Sequence, residues 1–352
     1  MNLNVKIVGT GLLGTSLGLA LARQGVTANL SDQSKSNLRL AIEYGAGEVQ
    51  SVEPDLVVVC VPPDLTAEVV LAELAANPNA VVTDVASVKG DIAKQVALSP
   101  HASRYVGSHP MAGREKGGPG SARADLFFAR PWIITASKET PSGNLDLVRD
   151  LALRVGALPV ELSAEQHDSA VALVSHLPQL LSSALATALS GGSDEQLALS
   201  GQGLRDTARI ASSDPDLWLQ IISQNADAIR PLVSAVKHEL EKLEHSLENL
   251  DESGSLAQIH SLLSRGNQGV ARIPGKHGGK YAEYQQVTVM IDDSPGALAA
   301  LFTFVGDIGV NIEEIKLEHS PGAPIGLVEL QVVPASIEHL VKELTANGWR
   351  LV

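Results

Sequence analysis

Several things are scarce in this chain. Its 352 residues include a single cysteine, Cys60, so no internal disulfide can form, and such usage fits a reducing compartment. Positive charge is also short: 26 Lys and Arg stand against 40 Asp and Glu, a formal charge of −14. Nucleic-acid binding calls for a basic face, which this balance does not supply. An anionic ligand would have to meet a local cluster of cations. No apolar run reaches the roughly 18 residues that a membrane helix needs. The opening "MNLNVKIVG" enters a strand-like run at once and leaves no room for a signal peptide. No cluster of ligand residues has metal spacing, so no metal is expected. Together these absences predict a soluble, cytoplasmic protein with neither nucleic-acid nor membrane partners.

What is present falls into segments. Over residues 1–162, short β-branched runs alternate with helical stretches: "NVKIVG" with "LLGTSLGLALAR", "DLVVVCVP" with "DLTAEVVLAELAAN", "AVVTDVAS" with "VKGDIAKQVAL". Continuous apolar runs separated by helices predict an α/β, doubly wound parallel sheet covered on both faces. Residues 163–250 read as helical only, opening on a capping box, "SAEQ", with Ser163 as cap and Gln166 three residues on. The next stretch, "HDSAVALVSHLPQLLSSALATAL", is nearly all apolar, which predicts burial, often against a second subunit. "SDPDLW" starts a further helix with Asp214 as cap and Pro215 in its first turn. An all-α domain that makes a homodimer is expected here. Residues 251–284, with "DESGS", "SRGNQG" and "IPGKHGGK", read as a linker. Residues 285–352 spell a β-α-β-β-α-β unit, a ferredoxin-like α+β arrangement.

The first turn carries "IVGTGLLGTSLG", with Gly9-x-Gly11-x-x-Gly14 between a strand and a helix. Such a turn suits a dinucleotide. Gly9 makes the tight turn, Gly11 lets the backbone approach a pyrophosphate, and Gly14 allows close helix–strand packing. The helix start at Leu12 and Leu13 would meet the phosphate charge. Asp32 closes the next strand, "TANLSD", where it would accept from ribose hydroxyls and repel a 2′-phosphate. NAD is therefore the expected cofactor. Ser31, Ser34, Lys35 and Arg39 follow closely enough to keep NADP open.

Ligands in such a sheet gather at the carboxyl ends of its strands. Two candidates fall there, Ser87 in "DVASVKG" and His109 in "VGSHPMAGREKGG". A histidine near neutral pKa is a natural acceptor for the proton of an alcohol being oxidised, and a serine could hold both hydroxyl and imidazole in register. A loop histidine bonded to backbone is the plainer alternative for His109. In "VSHLPQ", Pro178 follows His176 and frees the carbonyl of Val174, which predicts a kink beside that histidine. A core histidine in a helix bent for packing is the competing reading. "GLRDTARIASSDPDLW" sets Arg205 and Arg209 one helical turn apart. A guanidinium clamps carboxylates well, and Arg209 is the candidate; Arg205 is read as paired with a local acid such as Asp206 or Asp214.

With these segments in view, the sequence resembles the bacterial prephenate dehydrogenase family of tyrosine biosynthesis. "GTGLLGTSLG", "DVASVKG", "GSHPMAGREKGG", "VSHLP" and "RDTARIASSDPDLW" occur in the family's order along the whole chain. The tail, "DDSPGALAALFTFVGDIGVNI", is similar to an ACT domain, an amino-acid-sensing module appended to some members. The resemblance implies an NAD(P)-dependent oxidative decarboxylation of prephenate to 4-hydroxyphenylpyruvate. It makes His109 the proton acceptor, Ser87 its support and Arg209 the holder of the ring carboxylate. Glu115 would belong to a polar network gating the site, and His176 would lie near the substrate side chain. Gln179 departs from the family, which often has a second histidine there, so arogenate remains an alternative substrate.

In the tail, Asp293, Ser294 and Gly296 sit at a strand-to-helix turn, and Gly309 and Asn311 at a helix-to-strand turn. Free amides there would suit an amino-acid carboxylate, with tyrosine or phenylalanine as the expected effector; a purely structural dimerisation tail is the alternative. A β-hydroxyacid dehydrogenase would need a lysine after the nucleotide domain, and none occurs between Lys138 and Lys237. A non-enzymatic NAD sensor would have no use for His109, His176 and Arg209 together.

Overall fold

The computed structural model describes residues 3–114, 116–274, 284–319 and 325–352. Its contacts divide the chain into two units, Met1–Lys237 and His238–Val352. In the first, twelve elements alternate: β1 (Val5–Val8), α1 (Leu12–Ala22), β2 (Asn29–Ser31), α2 (Lys35–Glu43), β3 (Leu56–Val59), α3 (Pro63–Ala76), β4 (Val81–Asp84), α4 (Gly90–Val96), β5 (Tyr105–Pro110), β6 (Pro131–Thr135), α5 (Ser142–Arg154) and β7 (Leu158–Glu161). They form a seven-stranded sheet in the order β2-β1-β3-β4-β5-β6-β7.

Side-chain alternation along the central strands builds a core on each face of this sheet. Leu56 and Val58 of β3 join Ile7, Leu17 and Leu151 on one side. Val57 and Val59 join Val70, Leu74 and Ile92 on the other. Burial on both faces is why these strands read as unbroken apolar runs. The sheet departs from the expected all-parallel form at one place: β6 runs antiparallel to β5. Among the described residues the β5–β6 connection holds one 3-10 turn, Pro119–Ser121, and no α-helix. Without a crossover helix the chain returns in the opposite direction.

The helices follow as α6 (Ala164–Val171), a π-turn (Ala172–His176), α7 (Leu177–Leu189), α8 (Asp194–Leu197), α9 (Gln202–Arg209), α10 (Pro215–Gln224) and α11 (Ala226–Glu248). The Ser163–Gln166 capping box opens α6, and Asp214 caps α10 ahead of Pro215. Ile221 of α10 enters the core beneath Val57 and Val59, which ties the helices to the sheet. The division between the two units falls inside α11.

The disruption expected at Pro178 takes the form of a π turn just before it. The proline lacks the N–H that would reach the Val174 carbonyl, and the preceding turn widens to the π form. The run Ala164–Leu189 is long and apolar enough to cross a membrane by length and composition. Within the single chain it leaves part of its apolar surface bare. Leu173 is 54% and Val174 63% exposed, and Leu181 and Leu185 are exposed too.

In the second unit α12 (Ser255–Val270) occupies much of what reads as linker, and "SRGNQG" lies inside it. Leu256, Ile259, Leu262 and Leu263 recur at helical spacing, a pattern outweighed in the sequence by the surrounding glycines. Arg265 of α12 pairs with Glu239 at 2.6 Å, and Ser246 bonds Gln258 at 3.1 Å. Beyond it come β8 (Gln285–Asp292), α13 (Ala297–Asp307), β9 (Glu314–His319), β10 (Ile325–Val332), α14 (Ile337–Ala346) and β11 (Arg350–Leu351). The strands form an antiparallel sheet ordered β11-β8-β10-β9. Val287, Val289 and Ile291 of β8 alternate inward against Leu301, Val305, Leu340 and Leu344.

A buried polar knot fastens the carboxyl end of β4 to β5. Asp84 bonds the Lys89 ammonium, the Tyr105 hydroxyl at 2.7 Å and the Ala86 amide at 2.8 Å. Lys89 and Asp84 side chains are fully buried. Burial pulls the Lys89 pKa down more than Asp84 restores it. Ser108 donates to the Asp84 carbonyl at 2.7 Å and accepts from Thr83 at 3.0 Å. Removing one partner leaves a buried, uncompensated charge. Lys89→Met is therefore expected to lower unfolding free energy by about 3–5 kcal/mol in urea titrations, with Asp84→Asn in the same chain recovering part of it.

Candidate active site

The glycine-rich turn stands at the head of α1 as the sequence predicts. Gly9 has φ +98°, and a Cβ there would lie 2.4 Å from the Cys60 carbonyl oxygen. One on Gly14 would lie 1.9 Å from the Gly9 oxygen. Both glycines are demanded by close packing. Gly11 differs, because a Cβ there would meet nothing within 4 Å. No side chain caps the helix start, so the amides of Leu12 and Leu13 head a turn that opens outward. Asp32 lies just past β2 and organises the turn from its other side. It accepts from the Thr10 amide at 2.5 Å, the Thr10 hydroxyl at 2.7 Å and the Ser34 amide at 2.6 Å. An open Gly11, an uncapped helix start and a carboxylate at the end of β2 fit a dinucleotide.

His109 and Ser87 lie toward the same edge of the sheet. β5 runs parallel to β4, which brings the two carboxyl ends together. His109, partly buried near the end of β5, is not held by Ser87, whose hydroxyl has no partner among the described residues. The imidazole is held instead by a residue that the sequence reading passes over. His109 Nδ1 lies 2.8 Å from His167 Nε2, and the rings meet edge-to-face at 75°. His167 Nδ1 in turn lies 2.8 Å from Asp168 Oδ1.

Asp168 is the meeting point of the site. Its Oδ1 also accepts from the Lys89 amide at 2.8 Å, and its Oδ2 from the Gly90 amide at 2.7 Å. Its backbone carbonyl accepts from Asn225 Nδ2 at 2.8 Å. That same nitrogen is 3.2 Å from His176 Nδ1. His176 is 1% exposed and stands edge-on to Trp218, with ring centroids 5.9 Å apart. The pair His167-Asp168 does leave a mark in the sequence: two polar residues directly after a capping box, heading an otherwise apolar helix. Asn225 leaves none, because its role depends on α10 folding back.

Electrostatics keep both outer imidazoles neutral. Burial pushes the His109 pKa well below its ordinary value, and the Lys89 ammonium and the neighbouring His167 and His176 rings, which would repel a proton there, act in the same direction. Burial lowers His176 to about 4 despite the opposing pull of Asp168. For Asp168, burial raises the pKa, but the bonds from His167 and from the Lys89 and Gly90 amides outweigh it and hold the carboxyl below its ordinary value.

The other predicted residues are more scattered. Gln179, 5% exposed on α7, accepts from Ser213 at 3.3 Å and donates to Ser183 at 3.4 Å. Arg209 is exposed in the last turn of α9. That stretch is tied to α7 on both sides, through Ser182 to the Thr207 carbonyl at 2.6 Å and through the Ser213–Gln179 bond. Arg205 reaches the Ser200 carbonyl at 3.4 Å rather than Asp206 or Asp214. Glu115 lies outside the described residues. In the second unit Asp293, Ser294, Gly296, Gly309 and Asn311 are all exposed. Gly296 (φ +92°) begins α13 without a side-chain cap, Gly309 has φ +73°, and Asn311 bonds Glu313 at 2.6 Å. No group of His, Cys, Asp and Glu among the described residues has the makings of a metal site.

A dinucleotide turn on a doubly wound sheet, facing the same edge as a neutral imidazole, is the equipment of a nucleotide-dependent oxidoreductase. Comparison with known proteins narrows the class. Residues 17–161 match the family model "Prephenate dehydrogenase, nucleotide-binding domain", and residues 163–262 match "Prephenate dehydrogenase, dimerization domain". The chain is 35% identical over 362 residues to "Probable prephenate dehydrogenase NovF" of Streptomyces niveus, covering 97% of this chain and 98% of that one. It is 30% identical to a cyclohexadienyl dehydrogenase of Zymomonas mobilis, covering 70% and 89%. A crystal structure of prephenate dehydrogenase from A. aeolicus, in complex with hydroxyphenyl propionate and NAD+, superposes with a TM-score of 0.66. Identity there is 28%, over 76% of this chain and 98% of the other. Synechocystis arogenate dehydrogenase superposes with a TM-score of 0.62 at 27% identity, over 76% and 99%. The chain belongs to the prephenate dehydrogenase family.

The pKa shifts set a direction for stability. Unfolding returns His109 and His176 to the ordinary value near 6.5, so between that value and the folded ones the unfolded chain binds protons that the folded chain refuses. Stability must then fall as pH drops from about 6.5 through about 4. Urea unfolding at pH 7.5, 5.5 and 4.5 should show this loss, with a shallower slope in His176→Asn.

Proposed function

We propose that this protein is an NAD-dependent prephenate dehydrogenase of tyrosine biosynthesis, converting prephenate to 4-hydroxyphenylpyruvate and carbon dioxide. The observation that carries the reading is His109: a neutral imidazole at the carboxyl edge of the sheet, with Nε2 unpartnered among the described residues. NAD, when bound, supplies the hydride acceptor, and Gly11, Leu12, Leu13 and Asp32 would hold it. Arg39, which in the sequence keeps NADP open, is paired with Glu43 at 2.7 Å, and this supports NAD.

His109 takes the proton of the ring hydroxyl at Nε2 as the carbinol carbon gives up hydride. The resulting ketone is conjugated toward the carbon bearing the ring carboxylate, and loss of carbon dioxide then aromatises the ring. Arg209 is assigned to that carboxylate, and His176 and Gln179 to the substrate side chain. Ser87 is assigned to the reacting hydroxyl directly, since it does not support the imidazole. Arogenate is the second reading. It carries an amine where prephenate has a keto group, and the Gln179 amide offers both a donor and an acceptor to that end. The exposed Leu173 and Val174 support a homodimer through the helical region.

For the C-terminal unit we propose an ACT module of ferredoxin-like topology. Its Asp293–Gly296 and Gly309–Asn311 turns would bind tyrosine or phenylalanine as a feedback effector.

Absorbance of the reduced nicotinamide, followed with prephenate and arogenate and with NAD and NADP, tests the reading. Turnover of prephenate with NAD is expected, and turnover of arogenate alone would install the alternative. His109→Asn should depress kcat roughly 10²–10⁴-fold with NAD binding nearly intact. Arg209→Ala should raise the prephenate KM about 10- to 150-fold, the equivalent of about 1.5–3 kcal/mol. Asn311→Ala should blunt inhibition by tyrosine and leave turnover alone; unchanged inhibition would move the effector to the active site.

A further inference from the structure

The hydrogen-bond network around Asp168 decides which nitrogen of each active-site imidazole carries the proton. The Asn225 side-chain atom 2.8 Å from the Asp168 carbonyl oxygen must be the amide nitrogen, since a carbonyl only accepts. That nitrogen donates its second hydrogen toward His176 Nδ1, 3.2 Å away. His176 Nδ1 is therefore the lone-pair nitrogen, and in a neutral ring the proton sits on Nε2. His109 is governed from the other end of the same residue. The Asp168 carboxylate accepts from His167 Nδ1 at 2.8 Å, and a neutral His167 then shows its lone pair at Nε2. That lone pair, 2.8 Å away, takes the proton of His109 Nδ1 and leaves His109 Nε2 bare.

We propose that Asp168 sets the two imidazoles in opposite tautomers, through its carboxylate and His167 on one side and its carbonyl and Asn225 on the other. His109 thereby presents an acceptor, and His176 presents a donor. A base for an alcohol proton and an N–H for an oxygen on the substrate side chain are thus prepared before substrate arrives. His167, Asp168 and Asn225 are positioning residues in this scheme. The charged and titratable groups facing His109 are Lys89 beneath it, His167 and Asp168 on α6, and His176 beyond them. Lys89 opposes a positive His109, while the His167–Asp168 pair shares the charge once the proton has been taken. Gly90 belongs to the device as well, because a Cβ there would stand 2.7 Å from Asp168 Oδ2.

The inference rests on the function proposed above, but its first test needs no turnover. Histidine 15N spectra of the full chain at pH 8, with and without NAD, report tautomers directly. His109 should show a protonated Nδ1 and a bare Nε2, and His176 the reverse. A protonated His109 Nε2, or matching tautomers in the two rings, would overturn the proposal. Kinetics give the second test. His167→Leu should mix the His109 tautomers and lower kcat by about 10- to 100-fold, less than removal of the base itself, with both KM values within about twofold. His167→Gln, whose amide oxygen can still accept from Nδ1, should restore most of the rate. Asn225→Ala should mix the His176 tautomers only. A His167→Leu enzyme within twofold of the wild-type kcat would sink the idea. Should wild-type protein leave prephenate untouched, the functional reading falls while the spectra still decide the tautomers.

Discussion

One carboxylate organises this candidate active site. Asp168 receives two backbone amides at the head of α4 and an imidazole from its own helix, so three donors meet on two oxygens. The bonds join the loop after β4 to the start of α6, elements from the sheet and from the helices that follow it. A buried carboxylate is tolerable only when its lone pairs are satisfied, and here the donors more than offset the cost of burial. The geometry of His109, His176 and the α4 entry all descends from that one requirement.

A second buried charge pair, Lys89 with Asp84, lies beneath the first. Placing an ammonium there is a costly way to fasten two strands, since an apolar pair would pack as well. Its electrostatic reach makes better sense of it. Lys89 helps to hold His109 neutral, which the proton acceptor proposed here must be before reaction. In that reading the sheet's own fastening contributes to the chemistry proposed at its edge.

Much of this was legible in the chain. The glycine spacing, the placement of Asp32 and the Ser163 capping box are local patterns with local physical causes, and they translate directly into structure. So does the position of His109 at the end of a strand. What the pattern could not convey was pairing across sequence. His167 meets His109 across 58 positions, and Asn225 meets Asp168 across 57; nothing near either residue announces its partner. The same limit explains Ser87, which periodicity places at the right edge but cannot connect to the imidazole. The antiparallel β6 and the helix at 255–270 were missed for another reason. For β6 the alternation of strands and helices predicts an all-parallel sheet, and the missing crossover helix after β5 reverses the direction; for residues 255–270 the glycines read as linker, while the helical spacing of the leucines decides the outcome.

The π-turn at Ala172–His176 has two faces with different duties. Inward it sets His176 against Trp218 and Asn225; outward it bares Leu173 and Val174. Were a second subunit to cover Leu173 and Val174 and a ligand to reach His176, both contacts would fall on the same five residues, and any bias that one exerted on the other would be returned in equal measure.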